Sequence, residues 1–269
     1  MRTPAIVTAT TLAVGVLATR ELLRRQAAHA RRLIGKPLGE VPPQADRTWK
    51  PSYGDRLELL MLGDSIAAGL GAERPKDTLG ARLARRLARE TRRSVRLRTA
   101  ARVGSETSML AAQLETLPPA YRPDLAVIVV GGNDVTHRVP LAESVRHLEE
   151  AVAALRARGA EVVVGTCPDL GALRPVPQPL RALGSRASRQ LAAAQAQAAV
   201  CGGAHAVSLA DVVGPFFVAN PEEMFSLDRF HPSAAGYKRT AKALLPSLLA
   251  ALGHGDDGVV PFGHLRPVG

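Results

Sequence analysis

Five short apolar runs, separated by helical patterns, constrain this chain more than any other feature. They read LELLML (57–62), SVRLRTA (94–100), LAVIVVG (125–131), EVVVGT (161–166) and AHAVSL (204–209). Between them lie an Arg-rich stretch after Thr78, a short one near 106–116, LAESVRHLEEAVAALRARG (141–159) and SRASRQLAAAQAQAAV (185–200), with another from about Ser233. Strand and helix alternating at this spacing imply parallel βαβ units with helices on both faces of one sheet. Runs as uniformly apolar as VIVV suit strands buried on both sides. The fold expected is α/β with a five-stranded parallel sheet, in the order 2-1-3-4-5.

The chain has 269 residues and a formal net charge of +11, which looks like a nucleic-acid signal until it is located. Residues 1–50 hold nine Lys or Arg against three acids, and residues 73–102 hold eleven against three, which leaves the rest net negative. A near-neutral body with two basic segments argues against an extended nucleic-acid surface. In DTLGARLARRLARE, Leu79, Leu83 and Leu87 share one helical stripe while Arg82, Arg85, Arg86 and Arg89 face away. No aromatic residue interleaves with these arginines, so bases have nothing to stack on.

Four segments follow from composition. Residues 1–35 combine an uncharged run, Thr3 to Thr19, with Arg20, Arg24, Arg25, Arg31 and Arg32 directly after it. The run is near the lower length limit for a membrane span, and only Arg2 precedes it, so an anchor is favoured over a cleaved signal. Arginines on the C-terminal side keep the following domain cytoplasmic, with export or an interfacial helix as the alternatives. Residues 36–54 read as a Pro- and Gly-rich linker, 55–252 as the folded domain, and 253–269 as a loose tail. Cys167 and Cys201 fall at opposite ends of successive strands, too far apart to bridge, so both are expected as free thiols. A monomer is expected.

In a sheet of this kind the ligand sits beyond the carboxyl ends of the strands, where the strand order reverses. After the first run comes MLGDSIAAGLGA, with Ser65 in a Gly-flanked turn opening onto a helix; after the third comes VGGNDVTHR, with Asn133 at the matching point. Near the C-terminus FSLDRFHPSAAGY places Asp228 three positions before His231, a spacing that lets the carboxylate orient the imidazole. A base so held can take the proton of Ser65, while the Asn133 amide donates to a developing oxyanion. After the second run, ARVGSETS offers the Gly104 N–H to the same oxygen.

These blocks, GDSIAAG, VGSETS, GGND and DRFHPS, occur in the order in which they occur in the SGNH hydrolases, the GDSL-type esterase and lipase family, which the chain resembles from about Leu57 to Leu252. The resemblance implies a flavodoxin-like three-layer α/β/α sandwich. It implies Ser65 as nucleophile, His231 and Asp228 as base and orienter, and an oxyanion hole of the Ser65 and Gly104 amides with the Asn133 side chain. The second block is the loosest match. The implied reaction is hydrolysis of small-molecule or lipid acyl esters through an acyl-enzyme, with no cofactor and no metal. Acyl transfer by the same serine is the alternative within chemistry, and a non-catalytic membrane-tethered binding module the alternative outside it.

Competing motifs are lacking. Ser65 has no Gly two residues later, so no G-x-S-x-G elbow is present, and no phosphate-binding Gly-rich loop occurs. Asp64 and Asp134 are expected to fix their loops by hydrogen bonding, and Ser105 and Ser108 to cap a helix. The Pro-rich stretch PDLGALRPVPQPLRALGSR, after the fourth run, is long enough to overhang the cleft.

Overall fold

The computed structural model describes residues 4–254 and 259–267, with side chains from residue 17 onward. Its strands are β1 (Thr48–Trp49), β2 (Gly54–Gly63), β3 (Arg93–Thr99), β4 (Leu125–Val129), β5 (Glu161–Gly165), β6 (His205–Val207) and β7 (His264–Leu265). They form one sheet in the order β1-β3-β2-β4-β5-β6-β7. The five strands from β3 to β6 run parallel and are the five apolar runs in the expected order.

The helices are α1 (Pro4–Ile34), α2 (Ser65–Ala68), α3 (Leu79–Thr91), α4 (Leu110–Glu115), α5 (Gly132–His137), α6 (Leu141–Ala157) and α7 (Leu180–Cys201). Three short ones follow, α8 (Leu209–Val212), α9 (Gly214–Ala219) and α10 (Pro221–Met224), and then the long α11 (Ala234–Ala251).

The alternation of side chains along β2 builds both halves of the core. Leu57, Leu59 and Met61 point to one face and pack with Leu79, Leu83 and Leu87 of α3 and Tyr237, Leu244 and Leu248 of α11. Leu60 and Leu62 point to the other, with Leu110 of α4 and Leu148, Val152 and Leu155 of α6. Each fully buried Leu contributes roughly 1.5–3 kcal/mol relative to exposure. On α3 the outward Arg82 is not merely solvated: its guanidinium pairs with the buried Asp77 at 2.9 Å.

The sheet has seven strands, two more than expected, because both edges gain an antiparallel strand from segments read as loose. Residues 36–54, expected as a linker, carry β1, which pairs with β3. Trp49 holds it there: the indole is buried, donates to Ala45 O at 3.3 Å and lies under the Arg47 guanidinium at 3.8 Å. Residues 253–269, expected as a loose tail, carry β7, which pairs with β6. Its anchor is the buried His264, whose Nδ1 meets Ser247 Oγ of α11 at 2.7 Å. Of that segment, residues 255–258 and 268–269 lie outside the described residues.

The apolar run from Thr3 to Thr19 falls mostly on residues whose side chains are outside those described. Among the described residues no helix is long and apolar enough to cross a membrane. Cys167 and Cys201 are both free thiols, the first buried and the second exposed.

Candidate active site

Gly63 ends β2 at φ +126°, and a Cβ there would lie 1.9 Å from Val129 O of the adjacent strand. Only glycine allows the chain to turn this close to β4. Asp64 follows and caps α2, its Oδ1 accepting from Ile66 N at 2.9 Å. Ser65 is thereby placed as the first residue of α2, just past the carboxyl end of β2 and nearly buried.

The opposing side of the cleft comes from the loop between α10 and α11. Phe225 bridges Pro232, Ser226 N donates to His231 O at 2.8 Å, and Arg229 sits at φ 56°, which curls residues 225–232 into a tight turn. Inside it the Asp228 carboxylate is saturated. Oδ1 accepts from Ser226 Oγ at 2.8 Å and from Phe230 N and His231 N at 2.9 Å each, and Oδ2 lies 2.6 Å from His231 Nδ1. Burial pushes this carboxyl up, but the hydrogen bonds from His231 and Phe230 outweigh it and hold the group down at about 2. The other imidazole nitrogen, Nε2, lies 3.0 Å from Ser65 Oγ. A second glycine permits the approach: at Gly71, φ +101°, a Cβ would meet Pro232 O at 2.4 Å and His231 Cβ at 3.0 Å.

Asn133 lies in the first turn of α5, immediately after β4, and its Nδ2 donates to Ser105 O at 2.9 Å. One amide hydrogen is thus used to hold the loop after β3, and the amide's second remains for another acceptor. Asp134 beside it is buried and accepts from Thr107 N at 3.1 Å and Ser144 Oγ at 2.7 Å, so it ties the same loop to α6. Gly104 is in that loop at φ +80°, exposed, with open space where a Cβ would stand.

Ser65, Asn133 and His231 line one pocket of about 80 Å³, walled by apolar side chains such as Ile66, Leu209, Phe217 and Phe225. The Pro-rich stretch after β5 supplies Pro168, Asp169, Leu170, Ala172 and Leu173 to the same wall, as its length suggests. Gly104 is not among the lining residues. His137, the histidine nearest the Asn133 loop in sequence, is exposed and pairs with Glu106 at 2.7 Å.

Two buried titratable groups lie close to the site. Burial drives the Asp64 carboxyl up to about 7, opposed by the Ile66 N–H and by His231 and reinforced by Asp134. Burial likewise pushes the nearby Cys167 thiol well above its ordinary value, which leaves it a poor nucleophile. Among the described residues no group of three or more His, Cys, Asp or Glu is gathered to hold a metal ion.

Sequence reasoning missed the residue that joins the first two blocks. Gln113, buried on α4, accepts from Gly63 N at 2.9 Å, donates to Gly63 O at 2.8 Å and reaches Ser105 Oγ at 3.0 Å. Ser105 is therefore a partner of Gln113 and Asn133 and does not cap a helix, because Glu106 occupies the cap position.

The doubly wound sheet thus brings Ser65, Asn133, Asp228 and His231 together at its carboxyl edge, an arrangement suited to nucleophilic chemistry on an acyl group. The profile of the GDSL-like lipase/acylhydrolase family matches residues 61–239, and the chain belongs to that family. It is 40% identical over 250 residues to the GDSL-like esterase Rv1075c of Mycobacterium tuberculosis (strain ATCC 25618 / H37Rv), a match covering 88% of this chain and 78% of that one. A solved SGNH hydrolase from Slackia heliotrinireducens is 28% identical, with a TM-score of 0.51 over 72% of this chain and 99% of its own. The psychrotrophic esterase EstA from Pseudoalteromonas sp., inhibited by monoethylphosphonate in that structure, shares the fold at 19% identity and a TM-score of 0.57, over 73% of this chain and 99% of its own.

Proposed function

We propose that this esterase works through an acyl-enzyme on Ser65. The observation that carries the reading is the position of the His231 imidazole, 2.6 Å from Asp228 on one nitrogen and 3.0 Å from Ser65 on the other. The Ser65 hydroxyl attacks the ester carbonyl while its proton passes to His231 Nε2, and Asp228 stabilises the imidazolium through Nδ1–H. The carbonyl oxygen, now negative, takes hydrogen bonds from the Ser65 amide and from the free hydrogen of Asn133 Nδ2. Collapse expels the alcohol, which takes the proton from His231, and leaves the acyl group on Ser65. Water, activated by the same histidine, repeats the sequence and frees the acid. An alcohol other than water in that second step gives acyl transfer.

Steady hydrolysis of p-nitrophenyl acetate, with an initial burst of p-nitrophenol equal to the enzyme present, tests this. Turnover without a burst, under conditions where deacylation limits, contradicts the covalent intermediate. Adding glycerol and measuring the split between acetate and acetylglycerol separates hydrolysis from transfer.

We also propose that the domain is held at a membrane through the run Thr3 to Thr19 and the arginines after it, and faces the cytoplasm. The asymmetry of charge supports this reading, since Arg20, Arg24 and Arg25 follow the run and Arg2 alone precedes it. A C-terminal reporter that is active only outside the cytoplasm should stay silent; strong activity contradicts the inward orientation.

A further inference from the structure

Beside the pocket that holds Ser65 lies a second and much larger one, about 1360 Å³ against about 80 Å³. Leu170, Leu173 and Phe230 stand in the walls of both, so the two spaces are neighbours sharing one partition. The larger is a groove between α1 and the body of the domain. Gln26 clips α1 in place, its Nε2 donating to Gln178 O and its Oε1 accepting from Leu180 N at 3.1 Å. Leu23, Ala27, Ala30 and Ile34, spaced so that they share one helical face, form the α1 wall. Leu180, Leu183 and Val176 face them from the other side.

The groove is apolar in its body and cationic at its rim. Arg20, Arg24 and Arg31 line it from α1, and Arg138 and Arg181 from across. Among the described residues none of these five is in an ion pair. Glu21, the single acid in the lining, is already taken by Arg25 at 2.8 Å. Five unpaired guanidiniums around an apolar trough complement a ligand with an apolar body and a negative group.

The chemistry says which part of an ester belongs there. During cleavage the acyl group stays on Ser65 while His231 hands its proton to the departing oxygen, so the alcohol portion leaves on the side of His231. Phe230, which packs edge-on against His231 with centroids 4.9 Å apart, is a wall of the groove. The smaller pocket has room for only a few water-sized groups, enough for a short acyl chain.

We propose that the substrate is a short-chain acyl ester of a large amphiphilic alcohol bearing an anionic group. The acyl chain occupies the small pocket, the apolar part of the alcohol lies along α1, and its anion sits among Arg20, Arg24, Arg138 and Arg181. This rests on the esterase reading of Ser65 and adds the substrate class to it.

The test is a matched pair, ω-acetoxydodecyl phosphate and ω-acetoxydodecyl trimethylammonium, with p-nitrophenyl acetate alongside, on the full chain. The expected kcat/KM is at least roughly tenfold higher for the phosphate than for the ammonium ester. In the double variant Arg24→Glu with Arg181→Glu that ratio should fall to about one or below. Loss of fold lowers both rates together, so the ratio reports the groove alone. Equal rates on the two esters, a ratio that survives the charge reversal, or faster cleavage of methyl dodecanoate than of the acetoxy phosphate would each overturn the inference while leaving the esterase reading intact. A protein inert towards p-nitrophenyl acetate as well would overturn both.

Discussion

His231 Nε2 lies 3.0 Å from Ser65 Oγ although 166 residues separate them in the chain. Two elements set that distance. The Asp228 carboxylate fixes the turn that carries the histidine, and Gly71 lets the turn pack directly against the segment that follows α2. Because the carboxylate selects the Nδ1–H tautomer, Nε2 is left as an acceptor for the serine proton.

Replacing Asp228 by Asn removes that selection while keeping the shape of the side chain. The expected result is a folded protein whose kcat on p-nitrophenyl acetate falls by roughly 10³–10⁴-fold, the scale seen when such an orienting carboxylate is lost. A fall of less than about tenfold would mean that Asp228 serves the turn alone.

Asn133 donates one hydrogen to Ser105 O and has a second free. Asn133→Ala should lower kcat by about 10²–10³-fold and leave KM near its original value, since the free hydrogen matters most when charge develops on the substrate oxygen. Steady-state kinetics decide it, and a change confined to KM would make Asn133 a substrate-binding residue.

The two glycines near the cleft should respond differently to alanine. At Gly71 a Cβ at 2.4 Å from Pro232 O forces the His231 turn away, beyond the strain of a φ of +101°. Gly71→Ala should therefore lower both the melting temperature and kcat. At Gly104 the added methyl meets nothing, and the N–H survives, so the cost is the φ strain of about 1–3 kcal/mol. Gly104→Ala should stay the more active of the two; the reverse order in the same assay contradicts this account.

Much of this was legible in the chain. Continuous apolar runs such as VIVV have no period to misread, which is why five parallel strands could be set down from sequence, while their order was assumed from the way such doubly wound sheets are built. Thr48–Trp49 and His264–Leu265 are too short for any periodicity, and they pair because Trp49 and His264 are buried, the first against Ala45 O and Arg47 of its own segment and the second against Ser247 of α11. Ser65, Asn133, Asp228 and His231 were visible because each sits in a short block with a local geometric purpose. Gln113 was not: a glutamine in a helix carries no local signature, and its partner Gly63 is 50 residues away. The groove along α1 was equally hidden, since it exists only where two separate helices face each other across a gap.

Asp64 gives a pH dependence with a definite sign. Its carboxyl is raised from 3.8 to about 7 by burial, first of all, so the folded chain holds this proton more tightly than the unfolded one. Its contribution to stability is therefore fully present below about pH 4 and is lost as the pH rises towards about 7. Asp228, held down at about 2, acts oppositely and only in acid, its contribution being lost as the pH falls below about 4. Asp64→Asn keeps an oxygen for Ile66 N but has no proton to lose. Relative to the parent, it should gain stability between about pH 5 and pH 8 in urea denaturation. An unchanged difference across that range would show that Asp64 is ionised throughout.

The central claim is that Ser65 forms the covalent bond to the acyl group. A fluorophosphonate probe, followed by proteolysis and mass spectrometry, locates the nucleophile directly, because the adduct stays on the atom that attacked. The account predicts one adduct, on the peptide containing Ser65, and a Ser65→Ala protein that remains folded, takes no label and hydrolyses no p-nitrophenyl acetate. Labelling that persists in Ser65→Ala, or an adduct on another residue of the wild-type chain, would contradict it.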